Sequence, residues 1–79
     1  MITIEIKDAE KIGEGLSEVE IFCDFDGIKE LKRQIEFLEN GQSHVHLATP
    51  SWAGTELDEI PSGDGNVIVN QVTIIRVTG

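Results

Sequence analysis

Basic residues are scarce in this chain: six Lys and Arg stand against fifteen Asp and Glu, giving a formal net charge of -9 over 79 residues. Such a surface repels phosphate backbones, which argues against nucleic-acid binding; a basic protein is its natural complement, although acidity that only keeps a small protein soluble gives the same balance. Large side chains are few as well. Tyrosine is missing, and Phe22, Phe25, Phe37 and Trp52 are the only Phe or Trp residues. A core with so little aromatic volume is marginal, about 3–5 kcal/mol for a domain of this size, and a partner can add what is missing.

Cys23 is the only cysteine, which excludes an internal disulfide, and its neighbours Phe22 and Phe25 mark it as a small hydrophobe of a core strand. No stretch approaches the roughly 18 apolar residues of a membrane span. The opening Met-Ile-Thr-Ile-Glu lacks the basic and apolar regions of a secretory signal. Cytoplasmic residence, with no membrane partner, is the expectation. A chain of this length fits one domain over residues 1–79 and is too small for a large enclosed active-site cavity.

The Ile and Val residues are spread in patterns that define elements. Ile2, Ile4 and Ile6 alternate with Thr3, Glu5 and Lys7, which predicts a first strand with one wet face. Asp8 to Gly15 reads as a connection. Val19, Ile21, Cys23 and Phe25 then alternate with Glu18, Glu20, Phe22 and Asp24 over about Ser17 to Phe25, predicting a second strand in an antiparallel hairpin with the first. Asp26 occupies an N-cap position before Ile28, Leu31, Ile35 and Leu38, whose spacing is helical, and the helix should end near Asn40 and Gly41. Pro61 to Asn66 is the strongest turn signal. A last strand, or bent pair of strands, covers Val67 to Thr78 with a kink at Asn70-Gln71. The order β-β-α-β-β predicts an α+β fold: an antiparallel-dominated sheet of about four to five strands with one amphipathic helix on one face.

One helix covers only one sheet face, so the other must be polar or meet another molecule. The chemistry concentrates in Ser43 to Leu57. His44 and His46 alternate with Val45 and Leu47, which puts both imidazoles on one face of a strand. Pro50 and Gly54 flank Trp52 and predict a bent loop that carries the indole at an edge; a lone tryptophan is either an interaction hot spot or the largest core residue of a small domain, and the loop context favours the edge. An H-x-H pair can also ligate a divalent ion, with Glu56 or Asp58 as third ligand. Ser17, Ser43, Ser51 and Ser62 lack a nucleophile motif and Cys23 lies in a predicted core strand, so no catalytic residue and no cofactor are assigned.

His44-Val45-His46-Leu47, Thr49, Trp52, Gly54 and Glu56-Leu57 resemble the Imm32-like immunity proteins of bacterial polymorphic toxin systems. Asp26-Gly27-Ile28 opening a helix, Leu31 and Leu38 within it, and Asn70-Gln71 before Val72-Thr73-Ile74 extend the likeness over most of the chain from about Val19. The resemblance implies a non-catalytic protein that binds and neutralises a cognate toxin in the producing cell. A nuclease toxin with a basic substrate-binding surface would be steered to an acidic inhibitor. The expected contact residues are His44, His46, Trp52, Glu56, Asp58 and Glu59. Two other classes compete: a small metal-binding module or metal-dependent enzyme using His44, His46 and Glu56, and a homodimeric structural or regulatory domain closed over its open sheet face.

Overall fold

The computed structural model describes residues 1–7 and 18–78. Strands β1 (Ile2–Lys7) and β2 (Glu18–Cys23) precede helix α1 (Phe25–Glu39), and β3 (His44–Ala48) is followed by a 3-10 turn at Pro50–Trp52 and by β4 (Val67–Ile68) and β5 (Gln71–Ile75). The expected connection from Asp8 to Gly15 lies outside the described residues. Among the described residues the fold is α+β, with five antiparallel strands and one α-helix, as the sequence pattern predicts. The strands divide between two sheets, ordered β2-β1-β4 and β3-β5.

That division follows from the kink after β4. Val69 donates to the Ile4 carbonyl at 2.8 Å, still alongside β1, whereas the Asn70 carbonyl accepts from Thr49 at 2.9 Å, already alongside β3. One run of chain therefore leaves the first sheet and joins the second at Asn70, the position where the polar pair breaks the apolar pattern. Residues 57 and 58 bridge the sheets in the same way. The Leu57 amide donates to Ala48 at 3.1 Å and the Asp58 amide to Ile2 at 2.7 Å.

The core is Ile2, Ile4, Leu38, Val45, Leu47 and Leu57, with Cys23, Leu31, Phe37, Val69, Val72 and Ile74 packed on it. Two expectations about its membership need correction. Thr3 and Glu5 are fully buried, so of the face expected to be wet only Lys7, at the end of β1, is exposed. In β2, Val19 and Ile21 are exposed, and Phe25 lies 85% exposed at the start of the helix. The core sits over β1 and leaves β2 at the open edge of its sheet.

The helix begins two residues earlier than expected. Asp24 is the N-cap and accepts from the Gly27 amide at 2.8 Å, while Asp26 falls in the first turn, where its charge suits the helix dipole. At the other end Gln42 donates to the Phe37 carbonyl and Gly41 to the Leu38 carbonyl, a Schellman closure that places Gly41 at φ 114, a left-handed value. The buried helix positions are Gly27, Gln34 and Leu38, with Leu31 partly buried. Ile28 and Ile35 sit about half exposed beside this line. A Cβ at Gly27 would run into the Met1 carbonyl and Cys23, so this glycine permits the close approach of the helix to the start of β1 and the end of β2. Gln34 enters the interior because its amide donates to Glu30 at 2.9 Å.

This shifted stripe has a measurable consequence. Leu38→Ala should lose about 2–4 kcal/mol in urea unfolding. Ile35→Ala should lose about 1 kcal/mol or less. Equal losses would restore the original Ile28, Leu31, Ile35, Leu38 face.

Candidate functional site

Strand β3 separates its side chains as its alternation predicts: Val45 and Leu47 enter the core, and His44 and His46 face solvent. The imidazole rings meet edge to face with centroids 4.9 Å apart. Register with β5 sets Ile75 opposite His44, Thr73 opposite His46 and Gln71 opposite Ala48. Gln71, Thr73 and Ile75 are all exposed and thus join the histidines on one outer face. His46 Nδ1 lies 2.8 Å from the Thr73 hydroxyl and 3.3 Å from the Gln71 amide nitrogen, and His44 Nδ1 lies 2.9 Å from the Ser43 hydroxyl. Each ring is oriented through Nδ1. Nε2 makes no hydrogen bond among the described residues and is the atom a partner would meet.

Trp52 ends the 3-10 turn that follows β3 and is 58% exposed. The turn is held tightly. Trp52 and Gly54 both donate to the Thr49 carbonyl at 2.9 Å, the buried Thr49 hydroxyl donates to Asn70 at 2.9 Å, and Ala53 adopts a left-handed φ of 62. A Cβ at Gly54 would collide with Ala48, so the loop must pass close over the end of β3. An exposed indole thus rests on a rigid support.

The three carboxylates expected to face a partner here are instead engaged by backbone amides. Glu56 accepts from the Ala48 amide at 3.1 Å and from the Thr55 hydroxyl at 2.9 Å. Burial pushes its carboxyl up, but the donors from Thr55 and Ala48 outweigh that and hold it below the usual range. Asp58 accepts from the Ile2 amide at 2.9 Å. Glu59 accepts from the Ser51 amide, and the hydrogen bonds from Ser51 hold its carboxyl below the usual range. Each fastens one chain segment to another. Asp58 and Glu59 remain exposed and still contribute negative potential.

Glu56 and Asp58 border a different feature, an open cleft of about 450 Å³ shared with Met1, Asp26, Glu30 and Arg33. There Arg33 grips Glu30 through two hydrogen bonds of 2.7 and 2.9 Å, and its guanidinium lies 5.2 Å from the Phe37 ring centre. Among the described residues no three His, Cys, Asp or Glu side chains gather as a metal-ligand group. The proposed His44, His46 and Glu56 set is therefore not assembled, because Glu56 turns its oxygens onto Ala48 and Thr55. Among the described residues, no helix is long and apolar enough to cross a membrane.

Thr73 and Gln71 are the site residues that sequence reasoning missed. Their period-2 alternation with Val72 and Ile74 is visible in the sequence, but only the pairing with β3 shows that they share the histidine face. Comparison of the chain with protein-family models, with curated proteins and with solved structures finds no match.

Since neither histidine holds up the core, His44→Ala and His46→Ala should each change unfolding free energy by about 0.5 kcal/mol or less. Excess Zn2+ should move the melting temperature by no more than about 1 °C, because only a ligand bound by the native state shifts it further. A zinc-dependent rise of several degrees, lost in His46→Ala, would establish a metal site.

Proposed function

We propose that the protein is a non-catalytic binding inhibitor, an immunity protein that neutralises a basic toxin in the cytoplasm of the producing cell. The observation that carries this reading is the uncovered outer face of β3 and β5, where two adjacent imidazoles, Thr73, Gln71 and Ile75 stand in solvent on a rigid sheet. A polar face of this kind, with an exposed tryptophan on the turn leaving the same strand, has the mixture of aromatic anchor and orientable hydrogen-bonding groups found at protein interfaces. The net charge of -9 supports a basic partner, whose approach it would accelerate. The resemblance to Imm32-like proteins supplies the class of partner, and together with the acidic charge it favours a nuclease toxin with a basic substrate-binding surface.

In this reading His44, His46 and Trp52 make the contact. Glu56, Asp58 and Glu59 act chiefly through the scaffold and the long-range field, since their oxygens already hold backbone amides. Reversing Asp58 or Glu59 to Lys would disturb the fold and binding together. Truncations on the exposed face separate the two.

The test is surface binding kinetics with the toxin encoded beside this gene, combined with growth rescue on co-expression. Trp52→Ala should speed dissociation by about tenfold or more and leave association nearly unchanged. Association by the parent protein should slow as salt rises, because steering between opposite charges is screened. Unchanged kinetics and protection in Trp52→Ala and in the His44→Ala/His46→Ala double variant would refute this surface.

A further inference from the structure

Among the described residues β2 has a neighbour on one side only. The phase of its ladder decides what the other side offers. Asp24 donates to the Met1 carbonyl at 3.2 Å, so Phe22, Glu20 and Glu18 direct their backbone groups at β1, and Val19, Ile21 and Cys23 direct theirs outward. The far edge of β1 agrees, since the carbonyls of Ile2 and Ile4 accept there from Asp58 and Val69. Val19 and Ile21 also expose their side chains, at 60% and 53%. Among the described residues, these positions therefore present unpaired N–H and C=O groups and apolar surface together, a combination that invites another strand. On the opposite face of β2, Glu18 is exposed and makes a loose surface pair with Lys7 at 3.6 Å, and Glu20 is half-buried and accepts from the Asn66 side chain at 3.2 Å, so the two retain capacity for further cationic neighbours.

We propose that the outer edge of β2 receives an extended basic segment of a partner protein, which adds an antiparallel fourth strand to the β2-β1-β4 sheet. Alternation dictates the chemistry of that segment: apolar side chains lie beside Val19 and Ile21, and Lys or Arg side chains lie beside Glu18 and Glu20. A second copy of this chain is a poor occupant. Antiparallel self-pairing centred on Ile21 sets Glu18 of each copy opposite Asp24 of the other, and each copy carries a net charge of -9. The inference concerns the β2 edge alone and is independent of the histidine face, so either can fail without the other.

The probe is a synthetic peptide alternating Lys with Val or Ile, titrated into the full chain and followed by calorimetry and amide hydrogen exchange. Exchange at Val19, Ile21 and Cys23 should slow by about tenfold or more at saturation, as edge amides become paired. Methylating the amide nitrogens of the Val and Ile positions should weaken the peptide at least about tenfold, whereas methylating those of the Lys positions should not, since only the former face β2. Ile21→Pro removes an outward N–H and spares the ladder to β1, so it should fold and lose the peptide to a similar degree. If Ile21→Pro does not fold, the two methylated peptides on the parent protein decide. Equal binding by both peptides, by a scrambled peptide of the same composition, or by folded Ile21→Pro would overturn the proposal. So would a dimer of the protein alone that protects the Ile21 amide, because the edge would then belong to a second copy.

Discussion

The carboxylate of Glu5 is the constraint on which the rest of the architecture depends. It lies in the middle of β1 at 0% exposure and accepts from the Thr3 hydroxyl at 2.5 Å, the Ser62 amide at 2.9 Å, the Gly63 amide at 3.1 Å and the Asn66 side chain at 2.9 Å. An ion withdrawn from water without such partners costs several kcal/mol, so charge and turn stabilise each other. The clamp fixes the segment from Ser62 to Asn66 over one face of β1 while the apolar core covers the other. Val67 and Ile68 then leave the turn in register with Ile6 and Glu5, and the switch at Asn70 delivers β5 to β3. The face that carries His44, His46 and Thr73 is in this sense built outward from a glutamate on another sheet.

The same device recurs at the other joints of the chain. Asp24 binds the Gly27 amide and the Met1 ammonium, Asp58 binds Ile2, Glu56 binds Ala48, and Glu59 binds Ser51. Each carboxylate accepts a backbone N–H, which is a stronger hydrogen bond than a neutral acceptor would make. Acidity in this protein therefore has two roles. A share of the carboxylates organises loops, and the exposed remainder sets the field that a basic partner would feel.

Patterns that depend on neighbours along the chain were legible in the sequence, and patterns that depend on distant partners were not. The strand phase of His44 to Leu47 follows from simple alternation, and the kink at Asn70-Gln71 follows from a polar interruption. Glu5 alternates like a solvent-facing residue, because nothing local records that Ser62, Gly63 and Asn66 will come to it. The alternation of Val19 and Ile21 likewise looks like that of a core strand, although β2 lies at an edge the core does not reach. In the helix, Gln34 replaces Ile35 in the buried line because Glu30 satisfies its amide and Gly27 allows close packing. Asp24, not Asp26, is the N-cap that accepts from the Gly27 amide, and it also meets the Met1 ammonium, a contact across 23 positions that nothing local records. For the site, the histidines and Trp52 were legible, whereas Thr73 and Gln71 required the β3–β5 register.

The most direct test of this account is a carbon-detected NMR titration of the Glu5 carboxyl, read alongside the Ser62 and Gly63 amides and urea stability. Burial pushes this group up, but the hydrogen bonds from Ser62, Thr3, Asn66 and Gly63 prevail and hold it at about 2, below its usual 4.5. A group whose folded value is depressed contributes stability that is present above its unfolded value and lost as pH falls toward the folded one. Stability should therefore decline as pH falls from about 4.5 towards 2. In Glu5→Gln that part of the decline should be absent and stability at neutral pH lower. A Glu5 carboxyl that titrates near 4.5, with the Ser62 and Gly63 amide signals unmoved, would contradict the account.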